Sequence, residues 1–223
     1  MHNILDEDSL ANSSVVANNR MNRQRNLVGV NSYERELGFS PLTFLKEKQK
    51  DKAEVSWLDI CCGEGLALLQ ASKELSASFV GIDLVEPHFG SPSSVTFHSL
   101  PLHLWQPKRK FDLITSVHGL HYLGDKLGLI SNIVSWICND GLFVGHLDLD
   151  SCCFADGSSM KKTLNTVFNE APFSFDLKSH LLHCQGFKEI DFGYEFLGAD
   201  DKAGPNYTGQ AAVASIYSRN SNH

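Results

Sequence analysis

No apolar run in the sequence approaches the ~18–20 residues that a membrane-crossing helix needs. Basic residues are also short: 19 Lys plus Arg stand against 26 Asp plus Glu, for a formal net charge of −7. An acidic chain is poorly suited to nucleic acid, where affinity comes largely from clustered Lys and Arg displacing counterions. The two small basic groupings fit other roles. Arg20, Arg23 and Arg25 lie in an Asn-rich stretch and can bind anions locally, and Lys108, Arg109 and Lys110 read as a solvated loop before a strand. The Cys-x(2–4)-Cys spacing of structural zinc is missing. The six cysteines include the vicinal pairs Cys61-Cys62 and Cys152-Cys153, and His180, His183 and Cys184 fall on what reads as a helix, so no metal site is expected. Vicinal pairs also make a poor disulfide framework, and reduced thiols follow. The opening MHNILDEDSL has acids where a secretory signal has a basic start and an apolar middle, so a cytoplasmic protein without membrane attachment is expected.

What remains is ordinary globular composition, with 42% hydrophobic and 20% charged residues over 223 positions. That length holds one domain with an appendage. Residues 1–25 have few large apolar side chains and no period, and read as a flexible tail. Residues 26–52 read as a helical lid: Ser32 can cap a short helix that stops at Gly38, and Ser40 can cap a second with Pro41 at its first position. From residue 53 to 223 strands and helices alternate. Strands are expected at Val55–Ile60, Ser78–Asp83, Val95–His98, Phe111–Val117 and Leu142–Leu149. Leu68, Ala71, Ser72 and Leu75 mark one helix face, and Leu127, Ile130, Val134 and Ile137 another, ended by a turn at Asn139-Asp140-Gly141. Glu86–Pro92 stands where a helix between the second and third strands would be expected, and reads as a loop. A helix over Ser158–Asn169 and a shorter one near Leu177–Cys184 precede two strands, Phe187–Phe196 and Ala211–Ser218, that can pair antiparallel. This is an α/β chain with a doubly wound, mainly parallel sheet.

The segment Asp59-Ile60-Cys61-Cys62-Gly63-Glu64-Gly65 is a strand bending into a helix through glycines, which exposes backbone N–H groups to a ligand. Asp83, 24 positions after Asp59 at the end of the next strand, can accept hydrogen bonds from both hydroxyls of a ribose. Together they specify a nucleoside-bearing cofactor. A dinucleotide fits poorly, because Leu68 stands where the third glycine belongs and Glu64 and Asp59 would face a pyrophosphate. A cationic ligand suits the loop better.

On these residues the chain resembles the class I S-adenosylmethionine-dependent methyltransferases. LDICCGEG is similar to their first motif and GIDL to their ribose motif. FDLITSVHGLHYL is similar to the motif of their fourth strand, and NDGLFVGHLDLD to their fifth. The resemblance implies a Rossmann-like methyltransferase fold of seven strands, whose antiparallel pair would be the last two strands of the chain. It implies S-adenosylmethionine as cofactor, held by Cys61, Cys62, Gly63 and Gly65, with Asp59 behind the loop, Asp83 on the ribose and Leu84 over the adenine. Ser99 and Leu100, with Ser116 on the fourth strand, complete the expected contacts. The family's usual adenine-contacting acid is replaced by His98-Ser99-Leu100, and Cys61 replaces a first glycine, which is tolerable if its φ stays negative. Tyr33 and Arg35 can reach the cofactor, Arg35 pairing with a methionyl carboxylate, or can simply pack the lid on the body.

Methyl transfer is an in-line displacement that needs a base only when the acceptor must lose a proton. His118, after the fourth strand, can face the acceptor as that base. His146 and Asp148 lie at the carboxyl end of the fifth strand, where they either contact substrate or merely end the strand. His121 reads as structural. The Asn/Asp-Pro-Pro-aromatic sequence of enzymes methylating exocyclic base nitrogens is absent. Two readings follow: methyl transfer to an O, N or C nucleophile of a small molecule, with a place in specialised metabolism, or a catalytically degenerate relative serving as a binding partner. The aminopropyltransferase branch lacks its acid pair here.

Overall fold

The computed structural model describes residues 4–17, 24–88, 93–170 and 172–219. Arg20 and Arg23, and the end of the Glu86–Pro92 loop, lie outside them. The first strand, β1 (Ser56–Ile60), lies inside a seven-stranded sheet with β2 (Ser78–Asp83), β3 (Val95–Ser99), β4 (Phe111–Ser116), β5 (Ile137–His146), β7 (Phe173–Asp176) and β8 (Leu181–Gln185). Their order is β3-β2-β1-β4-β5-β8-β7. The first five run parallel, whereas β8 is antiparallel to both β5 and β7. This is the Rossmann-like methyltransferase fold.

Alternation along the central strands builds two cores. Leu58, Ile60, Ile114 and Phe143 face one side, together with Ile130, Ile133 and Val134 of α6 (Lys126–Ser135). Trp57, Leu113 and Val144 face the other, against Leu68 and Ala71 of α5 (Leu66–Glu74), Tyr33 and Leu37 of α3 (Tyr33–Leu37) and Leu45 of α4 (Pro41–Gln49). Both faces of the sheet are covered, so β1 and β4 are buried along their whole length, and their polar side chains pair with one another, Ser56 with Asp112 and Thr115 with Asp59. The caps fall where expected. Ser32 Oγ accepts from Arg35 N–H, Gly38 stops α3 in the left-handed region, and Ser40 Oγ accepts from Thr43 N–H.

Four expectations are corrected. The segment near Leu177–Cys184 is strand β8 rather than a helix: backbone pairing to β5, with Leu182 and Cys184 buried on one face, overrides a short helical pattern. Consequently the antiparallel pair of the main sheet is β7/β8. The last two strands, β9 (Tyr194–Asp200) and β10 (Ala214–Arg219), do pair antiparallel, but in a separate three-stranded sheet with β6 (Cys152–Phe154). Lys126, fully buried, ties the two units by donating from Nζ to the carbonyls of Leu123 and Val213 and to Ser215 Oγ. Asn139-Asp140-Gly141 is no turn, because β5 already begins at Ile137 and carries an irregular register there. Finally, the reading of a flexible tail meets two short helices, α1 (Glu7–Ala11) and α2 (Ser14–Ala17). Leu10 and Val16 bury against Ala199 and Val213, and Leu5 exchanges two backbone hydrogen bonds with Ala199. The small sheet supplies apolar partners that the sequence of the tail alone does not show.

Candidate active site

The bend after β1 is built from left-handed residues: Cys61, Gly63 and Gly65 have φ of 55°, 58° and 65°. Cys61 therefore does not keep the negative φ expected of it, a conformation that costs a non-glycine residue roughly 1–2 kcal/mol. The bend closes on Asp83, whose Oδ2 accepts from Gly63 N–H at 2.9 Å while Oδ1 accepts from Val85 N–H at 3.2 Å. Gly65 begins α5, and a Cβ there would overlap the Phe97 ring. Gly65→Ala is expected to destabilise the fold by about 3 kcal/mol, roughly 9 °C in melting temperature, through strained φ and the clash together. Thermal melting of the variant checks this.

A cavity of about 290 Å³ opens at this bend. Its wall includes Cys61, Gly63, Asp83, Leu84 and Leu100 at one end, with Val117, His118 and Gly119 beside them. Glu7, Leu10 and Val16 of the N-terminal segment roof it. Gly119 is needed here, since a Cβ would overlap that of Cys61 and stand 2.7 Å from Ser116 Oγ. Ser116 and His146 are buried just outside the wall. Ser116 Oγ has no hydrogen-bond partner.

Several expected contacts are placed elsewhere. Asp59 lies behind the bend, fully buried, with Oδ2 accepting from the Tyr33 hydroxyl and Oδ1 from that of Thr115, both at 2.6 Å. Burial outweighs these bonds and pushes the Asp59 carboxyl up to about 7. Tyr33 thus holds Asp59 instead of lining the cavity. Cys62 packs behind the bend, its Sγ close to Gly81. Arg35 is exposed beside a shallow depression with Gly38 and Phe39. Ser99 is exposed and His98 packs on Trp105, so neither lines the cavity. The polar groups beyond Leu100 are His103, Gln106 and Asn132.

At the other end lies a cluster that only its histidines announced. His118, with φ 59°, stacks on His146 at 4.0 Å between ring centroids. Its Nε2 is 3.0 Å from Glu36 Oε2, and its Nδ1 is 3.4 Å from the Tyr207 hydroxyl. Arg25 pairs with the other Glu36 oxygen, Oε1. The hydrogen bond from His118, with help from Arg25, outweighs burial and holds the Glu36 carboxyl down at about 2. Glu36 was legible in principle: it lies three residues after Tyr33, and Leu37 four, so all three share the inward face of α3 while Arg35 faces out. Tyr207 sits in an aperiodic loop, pinned by stacking on His180 at 3.7 Å, and carries no such signal.

His121 is fully buried with neither ring nitrogen hydrogen-bonded. Burial pushes its pKa well below the usual 6.5 and, with the His118 charge, takes His146 to about 3. Both are neutral in the folded chain and protonate on unfolding below about pH 6.5, so stability is lost as pH falls through that value. Asp59 works in the opposite direction between about pH 4 and 7, since its raised pKa favours the folded state as pH falls. Two histidines against one carboxyl leave a net loss of stability from pH 7 to pH 5. Denaturant melts at the two pH values should show it, and His121→Phe should flatten the difference.

The methyltransferase-domain family model matches residues 30–187, and the chain belongs to that family. Among solved structures, the plantazolicin methyltransferase BpumL, in complex with a triazolic desmethylPZN analog and SAH, is 23% identical, covering 49% of this chain and 46% of that one at a TM-score of 0.42. The N-methyltransferase NodS from Bradyrhizobium japonicum WM9, in complex with S-adenosyl-L-homocysteine, is 18% identical over 70% of this chain and 96% of its own, at 0.44. StiE O-MT is 15% identical over 64% and 51%, at 0.47. The chain spans about half the length of BpumL. No curated protein sequence matches it.

Proposed function

We propose that the protein transfers a methyl group from S-adenosylmethionine to an O, N or C nucleophile of a small molecule. The observation that carries this reading is one cavity whose wall joins the glycine bend and the Asp83 carboxylate to His118. When bound, the cofactor would supply an electrophilic methyl on a sulfonium. Asp83 would accept from the ribose hydroxyls while still fastening Gly63, and Leu84 and Leu100 would flank the adenine. Gln106 would take the polar contact expected of His98 or Ser99, neither of which lines the cavity. His118 would receive the acceptor's proton at Nδ1, the nitrogen that bears the lone pair while Nε2–H donates to Glu36, and Glu36 would steady the charge that forms. Entry to the cavity passes the roof of α1 and α2, latched where Glu7 Oε1 accepts from Asp125 N–H at 2.6 Å and Asp8 meets His103.

The acidic surface favours a small acceptor over nucleic acid, and no helix among the described residues is long and apolar enough to cross a membrane. The strained Cys61 favours the other reading, a degenerate relative that serves as a binding partner. Titration with S-adenosylhomocysteine separates the two. Micromolar binding, followed by a methylated product when the protein and S-adenosylmethionine are incubated with a metabolite pool, supports methyl transfer. No binding at millimolar ligand leaves the scaffold reading.

A further inference from the structure

We infer that Glu36, His118 and His146 form a binding site for one divalent transition-metal ion at the acceptor end of the cavity. The three side chains come from separate elements: α3, the loop after β4, and the last residue of β5. Both histidine Nε2 atoms approach a single oxygen, Glu36 Oε2, at 3.0 Å from His118 and 3.7 Å from His146. All three donor atoms lie within 4.8 Å of one another. Ligands at ~2.0–2.1 Å from an ion stand about 3–3.5 Å apart, so the spacings lie close to those of a site, and binding turns the His146 ring out of its stack on His118 to aim Nε2 at the ion. Two imidazoles and one carboxylate on one side of an ion leave its remaining positions open, the arrangement found where a metal must also hold a substrate.

The surroundings fit that use. Arg25 occupies Oε1 and leaves Oε2 to the histidines. The Tyr207 hydroxyl faces His118 Nδ1, so a proton on Nδ1 can be donated to it, which leaves the Nε2 lone pair directed at the carboxylate. That tautomer is repulsive next to Oε2 unless a cation lies between them, and an outer hydrogen bond of this kind is how metal-binding histidines are oriented. Without the ion, the proton sits on Nε2 and His118 is the base described above. With it, the ion takes over from His118 in acidifying a bound hydroxyl or amine. His118 also borders the cavity, which puts the open positions on the acceptor side. Nitrogen ligands select zinc, cobalt, nickel or iron(II) over magnesium. The use of the ion rests on the methyl-transfer reading, but its binding does not.

The test is titration of the full chain, stripped with chelator, with Co²⁺ alone. One equivalent is expected to bind and to raise a visible d–d absorption that 10 mM Mg²⁺ does not displace. Glu36→Gln and His146→Gln, both close in shape to the native residue, should each weaken binding at least tenfold. A silent titration at millimolar Co²⁺, or an absorption that survives in both variants, overturns the site. S-adenosylhomocysteine affinity is read in the same metal-free samples and is expected to be unchanged by either variant. Absence of that affinity speaks against methyl transfer, whereas a silent Co²⁺ titration with the affinity intact removes the metal site alone.

Discussion

Asp83→Ala is expected to weaken S-adenosylhomocysteine binding by at least ~100-fold. The carboxylate has two duties, and the variant removes both. It would accept from the ribose hydroxyls, and hydrogen bonds to a charged group contribute roughly 1.5–3 kcal/mol each. It also fixes the glycine bend through Gly63 N–H at 2.9 Å. Without it a backbone donor turns into the cavity with no acceptor, and the ligand must order the bend itself. Asp83→Asn keeps one acceptor oxygen and should fall between wild type and alanine. Calorimetric titration measures all three. Affinity within threefold of wild type in Asp83→Ala would mean that the cavity does not hold a ribose at this end.

The second large effect is on turnover. His118→Ala is expected to lower kcat by about 10²–10⁴ for an acceptor that loses a proton, the usual range for a positioned acid–base group, with S-adenosylhomocysteine affinity within threefold of wild type. Alanine is poorly suited to the left-handed backbone at position 118, so a folding defect could imitate the loss. His118→Asn removes that ambiguity, because asparagine adopts this conformation readily and cannot take the proton. Equal losses in the two variants would assign the effect to the imidazole. An unaltered rate would show that alignment alone carries the reaction, which is feasible because orientation can supply ~7–11 kcal/mol. Both variants also remove a ligand of the proposed metal site. His146→Gln separates the roles, since it breaks the triad and leaves His118 in place.

How far each part of the molecule could be read in advance depended on how local its physics is. The two capped helices, the glycine bend and strands β1 to β4 follow from caps, period and backbone freedom within a few residues. All of these appear within a residue or two of where the pattern puts them. Asp83 was legible for a related reason: the bend and the end of the next strand are adjacent by the right-handed crossover of a parallel sheet. The errors in secondary structure fall where long-range partners decide. β8 takes its conformation from β5, and α1 is ordered by strands almost two hundred residues later in the chain.

The proposed cofactor half of the site lies mainly between residues 59 and 100, where sequence order and spatial order nearly coincide, with Gln106 outside that stretch. Its acceptor half was decided only by folding. Glu36, His118, His146 and Tyr207 meet because α3 and the loop before β10 converge on the carboxyl ends of β4 and β5. Composition and spacing specify what a strand or a turn can be, since those are contests among neighbours. They do not specify which distant carboxylate a histidine will face, because that depends on how separately formed elements stack once their apolar faces are buried.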